Sequence, residues 1–303
     1  MPSAKPRAEK IRRALRSSSP PRQITQEAFE FNPQHLRRLV RLHPGERAEA
    51  NDLWEYTQDL LYTEIQGSLF IYLLPFCLEA WREDLRGTGN GYGGFVEYFY
   101  LVLANKQIFD KHLTQDQTTA VSEFMRESIL EEIDDQRGLS YQGMGARPYR
   151  WIAALATHGV LLPDVDRLWT AWWSLSTVGR AVAVVQYISC LMYPNNENPI
   201  FVPWTRDAGG GPPCLWEFGG HLYTHRWLNA NVRFIKGILN VGEASAVLNR
   251  SVEFLLGKPE HATAAQVQSD LPLCDEILAA RCTALPHLLE TTQEPGALLD
   301  WPK

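Results

Sequence analysis

The chain has 303 residues and a formal net charge of −6, with 45% hydrophobic and 21% charged residues, the balance of an ordinary globular protein rather than a disordered or fibrous one. No apolar run reaches the roughly 20 residues of a membrane-spanning helix, and the first residues lack the apolar centre of a secretory signal. Five cysteines without CxxC spacing argue against a disulfide framework and a zinc ribbon; reduced thiols of this kind predict a cytoplasmic protein.

Charge is uneven. Residues 1–50 carry eleven Lys/Arg against five Asp/Glu, a balance of +6, which leaves 18 against 30, or −12, for the remainder. Such an acidic body argues against a nucleic-acid binder, because phosphate contacts need a basic face. Residues 1–24, rich in Arg, Ser and Pro, are expected to form a disordered basic tail, with a composition like that of an organelle transit peptide.

From residue 25 to 193 the dominant period is helical. In "RAEANDLWEYTQDLLYTEIQ" and "GSLFIYLLPFCLEAW" apolar positions recur at steps of three and four, and the second stretch, with Pro75 inside, reads as a buried helix. "GFVEYFYLVLANKQIF" follows after a Gly-rich break. Thr114 and Gln117 have capping-box spacing. Behind them Val121, Phe124 or Met125, Ile129 and Ile133 make an apolar stripe, opposite Glu123, Glu127 and Glu131. Asp166 in "LPDVDRLW" is expected to cap the next helical pattern, "DVDRLWTAWWSLSTVGRAVAVVQYISCLMY", and "NPIFVPW" is the one short run expected to be extended.

Residues 194–220 form the longest stretch without a helical pattern, a Gly/Pro/Trp-rich loop, and loops of that length in compact domains usually carry function. A second helical block is expected over 221–290, packed on the first as one unit, with an irregular tail over 291–303. The fold predicted is all-α, an irregular bundle or stack of helix pairs of about nine to twelve helices with one long aromatic loop.

The loop concentrates the candidate chemistry. His221 and His225 stand four residues apart, the spacing with which one helix presents two imidazoles to a metal. Glu217, Cys214 or Asp207 could supply a third ligand. On that reading the chain is a metal-dependent hydrolase in which zinc activates a water. Gly219-Gly220 interrupts any single helix that would carry all these residues.

Trp204, Trp216 and Trp227, with Arg206, suit the other reading, a binding surface for a protein partner. Tryptophan buries a large area yet needs an acceptor for its N–H, which favours half-wet interfaces. The sequence favours this helical interaction protein over the zinc hydrolase.

A third pattern lies earlier in the chain. Asn51–Asp59, "NDLWEYTQD", resembles the magnesium-binding NDxxSxxxE segment of terpene cyclases, which are all-α proteins, and "DDQRG" from Asp134 resembles their aspartate-rich motif. Glu55 stands where that pattern has serine and Asp59 where it has glutamate, and the two segments occur in reverse order, so the sequence does not assign the chain to that family.

Overall fold

The computed structural model describes residues 5–15, 19–28, 33–43, 45–86, 93–105, 108–139, 148, 151–152, 165–193, 198–201 and 229–291. Among these the fold is all-α, with thirteen α-helices, one 3₁₀ turn and no strand. Described residues up to Ser128 form one compact unit, and those from Ile129 on form a second.

In the first unit, α3 (Ala50–Tyr62) packs mainly against α5 (Gly93–Asn105). Leu53, Tyr56 and Leu60 of α3 and Phe95, Phe99 and Val102 of α5 are buried. Phe95 stacks on Phe99 at 5.3 Å. The helices approach closely at Gly94, where a Cβ would lie 3.3 Å from the Trp54 ring. α4 (Gly67–Leu85) is the buried helix expected from its composition; Pro75 removes one amide donor from its interior and leaves the carbonyl of Ile71 without its helical partner. Its Trp81 is fully buried and donates its indole N–H to the Tyr100 hydroxyl at 2.7 Å.

Two further helices attach to this core. α2 (Gln34–Leu39) lies on α3 with His35, Leu36 and Leu39 inward. α1 (Lys5–Leu15) packs on α4 with Ile11 and Leu15 buried. Lys5–Leu15, within the segment read as a basic tail, is helical here, with Ile11 and Leu15 as anchors among its arginines. Segment 23–27 is also ordered, through Gln66. Its Oε1 accepts from the amides of Thr25 and Gln26 at 2.8 and 3.1 Å, while its own amide donates to Gln26 Oε1 at 3.0 Å.

After the short α6 (Ile108–Lys111) comes α7 (Gln115–Asp134), which contributes residues up to Ser128 to the first unit and Ile129–Asp134 to the second. Its start is a reciprocal capping box: the Thr114 amide donates to Gln117 Oε1 at 2.9 Å and the Gln117 amide to Thr114 Oγ1 at 3.4 Å. Val121, Phe124, Met125, Ile129 and Ile133 are all buried.

The second unit is arranged around α9 (Val178–Met192), every residue of which from Ala181 onward is buried. A helix apolar on all sides must be covered on all sides. α8 (Val165–Trp173), α11 (Val241–Phe254), α12 (His261–Ser269) and α13 (Leu271–Thr291) do so. Helices from both sides of residues 194–220 thus take part in one compact unit. α10 (Asn229–Ile238) packs on α13 and α8.

The stretch read as one pattern from Asp164 onward is two helices bent by 106°. Leu175 takes a left-handed φ of 54°, and Thr177 caps α9 by accepting from the Arg180 amide at 3.2 Å. Asp166 falls inside the first turn of α8 and accepts from the Arg167 amide at 2.8 Å, so it is not the cap. Pro199–Phe201 is a 3₁₀ turn and not extended, pinned where Asn198 Oδ1 accepts from the Ile200 amide at 3.1 Å. These splits, together with α1, raise the helix number above the expected range. Among the described residues no single helix is long and apolar enough to cross a membrane; α8 and α9 reach that length and composition only as a bent pair.

One close crossing organises the turn into α9. A Cβ on Gly179 would lie 2.2 Å from the Ile133 carbonyl oxygen and 2.4 Å from that of Asp134, so only glycine fits. The Asp134 carboxylate then accepts from Thr177 Oγ1 at 2.7 Å and from Arg180 Nε at 2.7 Å.

Candidate functional site

Every residue nominated for chemistry or binding by the sequence, namely Trp204, Arg206, Asp207, Cys214, Trp216, Glu217, His221, His225 and Trp227, lies outside the described residues, within 202–228. Neither the zinc ligand set nor the tryptophan surface is placed by the described helices. Two other constellations are.

The first is the acidic segment of α3. Asp52, Glu55 and Asp59 recur at steps of three and four, which aligns them on one helix face, and that face is turned to α2. Asp59 Oδ2 meets His35 Nε2 at 2.5 Å, with both side chains about 95% or more buried. Glu55 Oε2 stands 3.0 Å from His35 Nδ1, an ion-pair distance without hydrogen-bond alignment. Arg38 Nε reaches both Asp52 oxygens, at 2.9 and 2.8 Å. The carboxylates that resemble a magnesium motif are thus committed to an imidazole and a guanidinium of the same chain. Asp134 of the second acidic segment is likewise committed, to Thr177 and Arg180. Sequence reasoning missed His35 as their partner, since a lone histidine on an amphipathic stretch carries no signal of what it faces.

The second is a groove of about 480 Å³ in the second unit. Leu239 and Val241, at the junction of α10 and α11, and Ala279, Cys282 and Pro286 of α13 give it apolar walls. Lys236, Asn240, Thr283, His287 and Glu290 give it a polar rim. Lys236 and Glu290 form an ion pair at one end. Asn240 is occupied as the cap of α11, its Oδ1 accepting from the Glu243 amide at 3.0 Å. Pro286 has no N–H, so the carbonyl of Cys282 lacks its helical donor. Burial pushes the Cys282 thiol up to about 11, which keeps it protonated near neutrality and makes it a wall rather than a nucleophile.

Among the described residues no three His, Cys, Asp or Glu side chains are arranged to hold a metal ion. The groove thus combines aliphatic side chains and the Cys282 thiol with the polar groups of Lys236, Asn240, Thr283, His287 and Glu290. Comparison with protein-family models, with curated proteins and with solved structures yields no significant match.

Proposed function

We propose that the chain is a helical interaction protein that engages a protein partner through the tryptophan-rich segment Trp204–Trp227 and the groove formed by α10, α11 and α13. The groove supports this reading: its volume admits one or two side chains, and its lining is mixed, more polar than apolar, as at the edge of a recognition surface. α10 begins at Asn229, two residues after Trp227, so the nominated segment leads directly into the helix that lines it.

The second reading, a zinc-type hydrolase centred on His221 and His225 with Glu217 or Cys214, rests on the histidine spacing alone. Elemental analysis of the purified protein beside a His221→Ala/His225→Ala variant separates the two. The interaction reading expects no stoichiometric metal in either protein. Near-stoichiometric zinc that disappears from a folded variant would overturn it.

A further inference from the structure

We propose that α1 is a detachable strap over a helix-docking site on the first unit, a site formed by α4 and α7 that also accepts a basic amphipathic helix from a partner. The observations are the contacts of α1 itself. Among its described side chains, from Glu9 on, only Ile11 and Leu15, four residues apart, are deeply buried, at 2% and 1% exposure. Of the other ties made by its described side chains and backbone, the bond from Gln117 to the Leu15 carbonyl is buried and the ion pair of Lys10 is open to solvent. Lys10 pairs with Glu123 of α7 at 3.1 Å through side chains that remain 64% and 37% exposed. The Arg12 guanidinium lies 4.6 Å from the Phe76 ring centroid, and Gln117 Nε2 donates to the Leu15 carbonyl at 3.3 Å.

The surface beneath is complementary to a basic helix and fits α1 imperfectly. Glu79 of α4 is a largely buried carboxylate facing Arg12, and its Oε1 has no hydrogen-bond partner. On the α7 side, beside Lys10 and Ile11, stand Glu123 and Glu127. Between α1 and α7 a gap of about 10 Å³ remains, lined by Lys10, Ile11, Ala120, Glu123, Phe124 and Glu127. A helix of eleven residues held by two aliphatic anchors is short for independent helicity and sits at the low-stability end of a fold, where local opening concentrates. Its release leaves a docking site with apolar walls at Phe76 and Phe124 and an acidic rim, the chemistry that receives an amphipathic helix with two aliphatic anchors one turn apart and basic flanks.

The test uses the full chain carrying Ile11→Asp and Leu15→Asp, checked for a cooperative thermal transition, and a fluorescein-labelled peptide of residues 5–15. Fluorescence anisotropy is expected to show the peptide binding this variant at least tenfold more tightly than the wild-type chain, whose own helix occupies the site. A peptide bearing the same two aspartates should not bind. Equal binding to both proteins, or none to the folded variant, would overturn the proposal. A second protein guards against misfolding: wild-type chain with a protease site inserted between Leu15 and Ser19. After cleavage the α1 fragment should separate on size-exclusion chromatography and be replaced by the labelled peptide; a fragment that stays bound throughout would show α1 to be a fixed part of the core.

Discussion

Trp81 in the first unit and Trp172 in the second are both fully buried, yet Trp81 donates its indole N–H to Tyr100 at 2.7 Å whereas Trp172 has no hydrogen-bond acceptor among the described residues. Trp173 shares that condition. The contrast is one of local sites. In the first unit His35 is met by Asp59 and Asp52 by Arg38. In the second, a cluster of Trp169, Trp172, Trp173 and Tyr187, with ring centroids 5.3 to 6.4 Å apart, packs beside a helix buried on all faces. An unanswered indole N–H costs about 1–3 kcal/mol. Edge-on aromatic pairs contribute about 0.5–1.5 kcal/mol each beyond their buried area, so several such contacts offset the loss. Directional pairing and dense shape complementarity are therefore two routes to a core, and each is vulnerable to a different substitution.

The largest expected effect breaks a directional pair. His35→Ala removes the imidazole that stands 2.5 Å from the buried Asp59 carboxylate and should destabilise the first unit by about 3 kcal/mol, read from urea unfolding. A loss below about 1 kcal/mol would show that α2 is held by Leu36 and Leu39 alone. Next, Gly179→Ala attacks shape. Its Cβ would collide with the Ile133 carbonyl, and the helices must move apart at a cost of about 3 kcal/mol; a near-neutral result in the same measurement would contradict the close crossing.

Smaller effects sharpen the contrast. Thr114→Ala removes half of the capping box and should cost about 1 kcal/mol, visible as a lowered thermal midpoint. Glu79 gives a pH signature. Burial, the dominant influence, raises its carboxyl above the ordinary range, against the opposing pull of Arg82 and Arg12. The folded state therefore holds this proton more tightly than the unfolded chain. Its contribution is fully present below the unfolded carboxylate range and is lost as pH rises through the raised folded value. Glu79→Gln should flatten the pH dependence of stability in that window, and an unchanged profile would show that the carboxyl is better solvated than its burial implies.

The helical period and the capping box were legible because both are local: Thr114, Gln117 and the stripe from Val121 to Ile133 take part in α7 as their spacing predicts. α1 was not, since two aliphatic residues among arginines and serines look solvated until a receiving surface is known. The bend at Leu175 was hidden by an apolar pattern that continues unbroken through it. The acidic segment of α3 could be seen as a cluster, but whether it faced a metal or His35 depended on a residue 24 positions away in sequence. The nominated residues from Trp204 to Trp227 lie outside the described residues.

Site-specific photo-crosslinking tests the interaction reading most directly. A benzophenone side chain is placed at Trp216, at Thr283 on the groove rim, and at exposed Glu253 of α11 as a control, in extract of the source cells. The account predicts one partner protein joined from both Trp216 and Thr283, absent at Glu253 and lost when Trp204 and Trp227 are changed to alanine. Crosslinking at Trp216 and Thr283 no greater than at Glu253 would contradict it.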